Sequence, residues 1–451
     1  MERFNRRAFL GQSARFASAA SVGTLAFSTV PPSVLGANER VNLALIGCGG
    51  RGRIVARGLI ECGARFTYAC DLHEERRESV GKELADAQKA EVKRVADMRD
   101  VFDAAEIDAV VVATPDHWHA GITVQACQAG KDVYVEKPHA HSLWESRQMA
   151  RAVRKYRRVV QVGTQNRSGP YNHKALDYIK TGKLGDIHLV KVYNLKSGGP
   201  FHLGDAGTPP QGFDWDAWLG PAPHRPYHQR VFHGGWHHFW DFSNGDMADD
   251  GIHQMDLALM LMGDPGFPQA VSCMGGRLAH QGDDSETPDV QLASFDFGTF
   301  VMTFELTQYP RYMQKTTGTI RRNDEFPYWT QNATRIELYG ADLMMTVGRH
   351  GGGWIVQTSG GRVVEKCYGR PADQPHEANF LECIRTRKQP NADAETLHRS
   401  AALIYLGCIA HRVGNQTLRF DSQAERFVDN RRANELIKPA YRRQYSIPDQ
   451  V

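Results

Sequence analysis

The sequence predicts an α/β fold in two parts: a doubly wound parallel sheet, then an α+β domain with an open, mostly antiparallel sheet. Three observations carry that prediction. Between Val41 and about Val162, short apolar runs alternate with helical stretches, the pattern of strands joined by helical crossovers. Ala109-Val110-Val111-Val112-Ala113 is an unbroken apolar run, as expected of a parallel strand covered on both faces. Beyond Gly163, strands follow one another without intervening helices, which implies antiparallel pairing. The expected divisions are a leader over 1–37, a parallel-sheet domain over 38–162 and an α+β domain over 163–451.

The leader comes first. Arg6-Arg7-Ala8-Phe9-Leu10 sets two arginines before apolar residues, Ala17 to Val30 is weakly apolar and rich in Ala and Ser, and Leu35-Gly36-Ala37 is small. This is the layout of a twin-arginine export signal cut near Ala37, with a disordered basic tail or an uncleaved tether as the other readings. The apolar part is too short and too rich in Ser and Gly for a stable membrane span.

Val41 to Ile46 reads as the first strand and ends at Gly47-Cys48-Gly49-Gly50-Arg51-Gly52, after which the chain becomes helical. Alone, these glycines would be no more than a turn; between strand and helix, G-x-G-x-x-G points to a dinucleotide. Gly47 permits the tight turn, Gly49 lets the backbone of Cys48 to Arg51 approach a pyrophosphate, and Gly52 lets helix pack on strand. The pyrophosphate then meets unpaired amides at the positive end of the helix dipole. Phe66 to Cys70 is the second strand. It stops at Asp71, roughly 20 residues past the glycines, where a carboxylate accepts both hydrogen bonds of an adenosine ribose diol and repels a 2′-phosphate. The cofactor is therefore read as NAD, with NADP left open by Arg76 and Arg77. A helix from His119 to Ala129, a strand from Lys131 to Val135, a helix from Leu143 to Lys155 and a strand from Val159 to Val162 complete the first sheet. Ligands of such sheets sit at the carboxyl ends of strands.

In the second part, a helix from Tyr171 to Lys180 and a long strand from Ile187 to Leu195 precede an irregular stretch, Lys196 to Gly245, dense in Gly, Pro, Trp and His. So long a loop is functional or disordered, and its tryptophans argue against disorder. A helix from about Met247 to Leu261 follows. Strands are then expected at Val290–Phe297, Phe300–Leu306, Thr334–Tyr339, Leu343–Val347 and Trp354–Gln357, with helices at Glu377–Thr386 and Glu395–Val413 covering one face. The basic tail from Arg431 to Val451 receives no assignment.

Two constellations could manage protons. Glu136-Lys137-Pro138 leaves the strand ending at Val135, on the edge that carries the glycine turn. If partly desolvated there, Lys137 should have a lowered pKa and exchange protons with a substrate hydroxyl; an exposed lysine paired with Glu136 is the plainer reading. Asp249 and His253 lie one turn apart on the predicted helix, so a carboxylate could orient an imidazole that takes the proton. Simple capping of a helix end by acids is the alternative. For substrate, the faces of Trp215, Trp218, Tyr227, Trp236 and Trp240 could stack on sugar rings while His228, His237 and Asp241 read hydroxyls; packing in a core is the other role open to them. His117-Trp118-His119 and His139-Ala140-His141 could donate imidazoles to a metal, but no acid or thiol cluster stands at ligand spacing, so no metal is expected; His119 and its neighbours are read as contacting cofactor or substrate.

Composition narrows the partners. A net charge of +3 on 451 residues is too small and dispersed for nucleic acid. The eight cysteines form no C-x-x-C and several lie in apolar runs, so free thiols are expected.

Gly47-x-Gly49-x-x-Gly52, Ala113-Thr114-Pro115, Glu136-Lys137-Pro138 and Asp249-x-x-x-His253, in that order and spacing, closely resemble the glucose–fructose oxidoreductase, inositol dehydrogenase and MocA (Gfo/Idh/MocA) family. The resemblance covers most of the chain after the leader. It implies a Rossmann domain followed by an α+β domain, with Thr114 and Pro115 at the cofactor, Lys137 and His253 handling the proton, and Asp249 contacting substrate or orienting His253. One departure is Asn244-Gly245-Asp246-Met247-Ala248, where members often carry a run of glycines. The expected activity is hydride transfer between tightly bound NAD and a sugar or cyclic polyol. A glycosidase working by transient oxidation and elimination is the alternative, and a non-catalytic dinucleotide-binding protein a third reading. Export of a folded protein implies a cofactor loaded inside the cell, held and regenerated in place, and a periplasmic or otherwise exported location. Open sheets commonly pair with a copy of themselves, so a homo-oligomer is expected.

Overall fold

The strand endings of one parallel sheet set the geometry of everything that follows. The computed structural model describes residues 40–442, 445 and 447–451; the leader expected over 1–37 lies outside the described residues. Six strands, β1 (Asn42–Ile46), β2 (Arg65–Cys70), β3 (Lys93–Val95), β4 (Ala109–Val112), β5 (Asp132–Val135) and β6 (Val160–Val162), run parallel in the order β3-β2-β1-β4-β5-β6. Ile46 stands opposite both Cys70 and Val112, so β1, β2 and β4 end level. The strand order reverses at β1, which opens a crevice at that edge.

The crossovers are α1 (Gly50–Glu61), α2 (Glu74–Gln88), α3 (Met98–Asp103), α4 (Asp116–Gln128) and α5 (Leu143–Tyr156). Two carry side-chain caps: Asp97 accepts from the Arg99 amide, and Ser142 from the Glu145 amide. The N-cap of α1 is Gly49, which has no side chain to occupy the free amides there.

The second sheet has ten strands: β7 (Ile187–Leu195), β8 (Ala270–Gly276), β9 (Val290–Asp296), β10 (Val301–Thr307), β11 (Arg335–Gly340), β12 (Met344–Gly348), β13 (Trp354–Gln357), β14 (Val363–Cys367), β15 (Leu418–Asp421) and β16 (Arg426–Phe427). Their order is β14-β13-β12-β11-β7-β10-β9-β8-β15-β16, with β7 and β10 parallel and the other pairs antiparallel. Alternate residues of β9 and β10, such as Ala293, Phe295, Met302 and Phe304, are buried. They join one core with α6 (Pro170–Lys180), α7 (Ile252–Leu261) and α9 (Ala394–Arg412). The opposite face leaves Met274 and Leu292, cross-strand partners, exposed.

Two expectations need correction. The helix α8 (Asp373–Thr386) does not cover the antiparallel sheet. It packs on the first domain, where Phe380, Leu381 and Cys383 share a core with Leu43, Leu45, Phe66 and Tyr134. An apolar helix face states that a helix is buried, not which sheet buries it; Phe380, fully buried, contributes about 1.5–3 kcal/mol there. The helix expected from Met247 is also not uniform: Met247–Gly251 is a π-helical turn, and α7 begins only at Ile252. The tail, left unassigned from sequence, returns to the first domain. The Trp144 amide donates to the Ile437 carbonyl at 3.3 Å, and the Tyr445 ring meets Trp118 edge-on. Among the described residues no helix is long and apolar enough to cross a membrane, and all eight cysteines are free.

Candidate active site

The glycine turn is built as a cradle. Gly47 has φ +98°, and a Cβ on it would lie 2.6 Å from the Ala113 carbonyl group. A Cβ on Gly52 would lie 2.2 Å from the Gly47 oxygen, so α1 could not sit this close to β1 with any side chain there. Gly49 and Gly50 instead face open space. Asp71, at the end of β2, accepts from the Cys48 amide at 2.8 Å and the His73 amide at 2.8 Å, which fixes the turn against the carboxylate. Gly47, Cys48, Gly49, Gly50, Arg51 and Asp71 line a cleft of about 1440 Å³ with Thr114, Pro115, His119, Glu136 and Lys137. Thr114 Oγ1 is buried with no hydrogen-bond partner among the described residues. An open cradle of amides, a carboxylate at the ribose position and an unpartnered hydroxyl fit an NAD. Arg76 and Arg77 also line the cleft, with Arg76 over the Phe232 ring at 4.1 Å and Arg77 directed at the Asp71 carbonyl.

Two of the expected cofactor side chains are tied to protein. Arg51 donates to Glu136 at 2.8 Å and lies 3.7 Å from Asp373, leaving its backbone to the cradle. His119 bridges the Pro138 and Thr114 carbonyls, 2.7 Å from each, and so joins the loops after β4 and β5.

Lys137 stands where this cleft meets a second cavity of about 370 Å³; Lys137 and Asp249 line both. The ammonium donates to Asp249 Oδ1 at 2.7 Å and to the Asp249 carbonyl. Its pKa is raised, not lowered as expected from the sequence. Burial favours the neutral amine, but the Asp249 carboxylate outweighs it. The same pairing holds Asp249 below the usual carboxylate range despite burial.

His253 lines the second cavity, so the structure does bring Lys137, Asp249 and His253 together. Asp249 nevertheless does not orient His253. The π-helical turn shifts the helical phase between them, Asp249 turns to Lys137, and the His253 imidazole makes no hydrogen bond among the described residues. Burial, with Arg349 and Lys137 nearby, depresses the His253 pKa well below 6.5, so the ring is neutral at neutral pH.

The aromatic stretch divides in a way the sequence did not show. Trp215, Trp218 and Tyr227 belong to a satellite core with Phe213, Phe232 and Phe242, and Trp215 stacks on Trp218 at 4.4 Å. Trp240 packs beside Arg412, 5.1 Å from its ring centre, and His228 precedes the short helix Gln229–Phe232. None of Trp215, Tyr227, His228 and Trp240 is a lining residue of either cavity, whereas Trp218, Trp236 and His237 line the larger one. A period of tryptophans cannot distinguish core from wall. The four histidines of the two H-x-H pairs are buried, and burial pushes His117 and His139 down to about 3 and His141 to about 4. His117, His139 and His141 bond Trp218 O, Ser146 Oγ and Trp240 O. Among the described residues no cluster of His, Cys, Asp and Glu could hold a metal.

Sequence reasoning missed several residues of this site. Asp116, at the start of α4, lines the cleft, accepts from Ser243 Oγ at 2.7 Å and is pushed by burial up to about 8. Lys315, Arg321, Arg349 and His350 line the second cavity from connections between strands of the antiparallel sheet, Arg321 on the short helix Gly318–Arg322. Arg321, Arg349 and His350 leave only a trace in sequence, the basic doublets Arg321-Arg322 and Arg349-His350, and Lys315 leaves none. Tyr445, Ile447 and Pro448 of the tail line the larger cleft.

Residues 41–164 match the oxidoreductase family with an NAD-binding Rossmann fold, GFO_IDH_MocA, and residues 197–284 and 360–447 match its C-terminal alpha/beta domain. Scyllo-inositol 2-dehydrogenase (NAD(+)) of Bacillus subtilis is 26% identical over 78% of this chain and 88% of its own length. Inositol 2-dehydrogenase 1 of Saccharopolyspora erythraea is 35% identical over 33% of this chain and 44% of its own. Levoglucosan dehydrogenase, solved with NADH and levoglucosan, shares the fold at a TM-score of 0.62 and 17% identity, over 84% of this chain and 99% of that one.

Proposed function

The chain belongs to the Gfo/Idh/MocA family of NAD-binding oxidoreductases, and on that footing we propose that it moves hydride between a tightly held NAD and a ring C–H of a sugar or cyclic polyol. One observation carries the proposal: Lys137 and Asp249 stand on the shared wall of the dinucleotide cleft and a second cavity that His253 also lines. The inositol and levoglucosan dehydrogenases among the relatives support the substrate class.

Bound nicotinamide supplies a ring carbon that accepts or returns hydride. The protein's residues do the rest. Lys137, kept cationic by Asp249, donates a hydrogen bond to the substrate oxygen and stabilises the negative charge that grows there as the hydroxyl proton leaves. His253, neutral at neutral pH, accepts that proton on its imidazole and returns it in the reverse direction. Asp249 positions Lys137. Trp218, Trp236 and His237 form the aromatic wall, with Trp215 and Tyr227 packed behind it. The relatives named as dehydrogenases favour net transfer over the redox-neutral elimination.

The twin-arginine pattern at Arg6-Arg7 supports export with the cofactor already loaded, and the bare sheet face at Met274 and Leu292 supports pairing of two copies. The test is protein purified from the cell envelope without added cofactor. It should carry stoichiometric NAD and form one equivalent of reduced nicotinamide when inositol or levoglucosan is added. Lys137→Ala should keep the cofactor and lose turnover by at least about 100-fold. Near-normal turnover would remove Lys137 from the chemistry, and freely exchanging NAD would defeat the held-cofactor reading.

A further inference from the structure

On one side of the second cavity the cations are denser than an oxidation of neutral hydroxyls requires. Asp250 accepts from Lys196 Nζ at 3.1 Å and from Lys315, and Arg349 Nη2 lies 3.5 Å away. Arg321 adds a further guanidinium, whose Nε donates to the Thr316 carbonyl at 2.7 Å and which forms no ion pair among the described residues. Arg349 Nε is buried with no hydrogen-bond partner among the described residues. At the other end of the cavity, Arg51 is answered by Glu136 and Asp373. Lys196 is also answered by Asp246 at 2.5 Å, which leaves Lys315, Arg321 and Arg349 facing Asp250 and, more weakly, Asp373.

We propose that this cavity takes a monosaccharide-sized substrate bearing an oxyanion, carboxylate or phosphate, which Lys315, Arg321 and Arg349 hold while Lys137 and His253 face the reacting carbon. Only the placing of a reacting carbon at Lys137 and His253 rests on the oxidoreductase reading. About 370 Å³ lies at the small end of ligand sites, which run from about 300 Å³ upward. A guanidinium fork suits an oxyanion because it offers parallel N–H donors at fixed geometry. The cations also disfavour one another as they stand. Burial lowers the pKa of Lys315 and of Arg349; Asp250 offsets part of this, and Lys196 and Arg321 add to the respective lowering. An incoming oxyanion relieves that repulsion. The three residues come from two connections, β10 to β11 and β12 to β13, so their charges converge only in the folded domain.

The experiment is calorimetric binding to the NAD-loaded protein. D-Glucuronate, D-galacturonate, D-gluconate and glucose 6-phosphate are compared with D-glucose, D-galactose and D-glucitol. At least one anion should bind about 10- to 100-fold tighter than its neutral parent. A preference for the acids assigns a carboxylate, and a preference for the phosphate ester assigns a phosphate. Arg321→Gln should reduce the ratio of anion to neutral affinity by about 10-fold, and Arg321→Lys should restore part of it. Arg321 is only partly buried, and a thermal melt of each variant confirms folding. Equal affinity for anions and neutral sugars, no binding by any anion, or a ratio unchanged in folded Arg321→Gln would each overturn the proposal. Binding is read without turnover. A preference for anions therefore stands even if the separate reduced-nicotinamide assay sinks the oxidoreductase reading.

Discussion

Replacing Asp249 by Asn isolates the charge that holds Lys137. The Lys137 side chain is 17% exposed, and burial alone would lower its pKa; the Asp249 carboxylate at 2.7 Å reverses that and holds it above 10.5. Asparagine keeps the volume and the backbone carbonyl to which Lys137 also donates, but removes the charge. An opposite charge at this range raises a buried amine's pKa by about 1–3 units, equivalent to about 1.4–4 kcal/mol. Asp116 and Glu136 also favour the ammonium, but less strongly. The Lys137 pKa in the variant should therefore fall below 10.5, and kcat/KM should decline as pH rises through it. The alkaline limb of the variant should thus begin at lower pH than that of the wild type. On the acid side the active form of His253 is neutral. Because its folded pKa is depressed well below 6.5, both proteins should keep their activity as pH falls through 6.5. The assay is a pH profile of kcat/KM for the best polyol substrate, with cofactor content measured for each preparation. Superimposable alkaline limbs in cofactor-loaded protein would refute the role given to the pair.

Two further substitutions probe the scaffold. Gly52→Ala places a Cβ 2.2 Å from the Gly47 oxygen, so it should cost about 1–3 kcal/mol in denaturant titration and release NAD on dialysis; unchanged stability and cofactor content would contradict the cradle. Arg167→Met removes a guanidinium 2.7 Å from Asp256, where the two side chains are 5% and 0% exposed. An uncompensated buried carboxylate remains, and urea unfolding should show a loss of about 3–5 kcal/mol; a loss below about 1 kcal/mol would mean that Ser400 or solvent replaces the arginine.

Features whose causes are local can be read from the residues alone. Gly47, Gly49 and Gly52 announce the cradle because a tight turn and a close helix are backbone requirements, readable within a few residues. The apolar run Ala109–Val112 announces a doubly covered strand for the same reason, and Lys137 follows because a strand end fixes which edge its neighbours occupy. Tertiary structure decided what depends on docking. It gave Asp249 to Lys137 instead of His253, because a π-helical turn changed the phase that regular helical spacing assumes. It sent the helix Asp373–Thr386 to the first domain, since amphipathic pattern carries burial but no address. It set Trp215 and Tyr227 in a core and Trp236 on the cleft, although all are aromatic residues of one loop. It gathered Lys315, Arg321 and Arg349 around Asp250 from segments far apart in the chain. Charge acts through space, and a linear sequence records distance along the backbone, so the chemistry of the second cavity exists only once the two domains have closed around it.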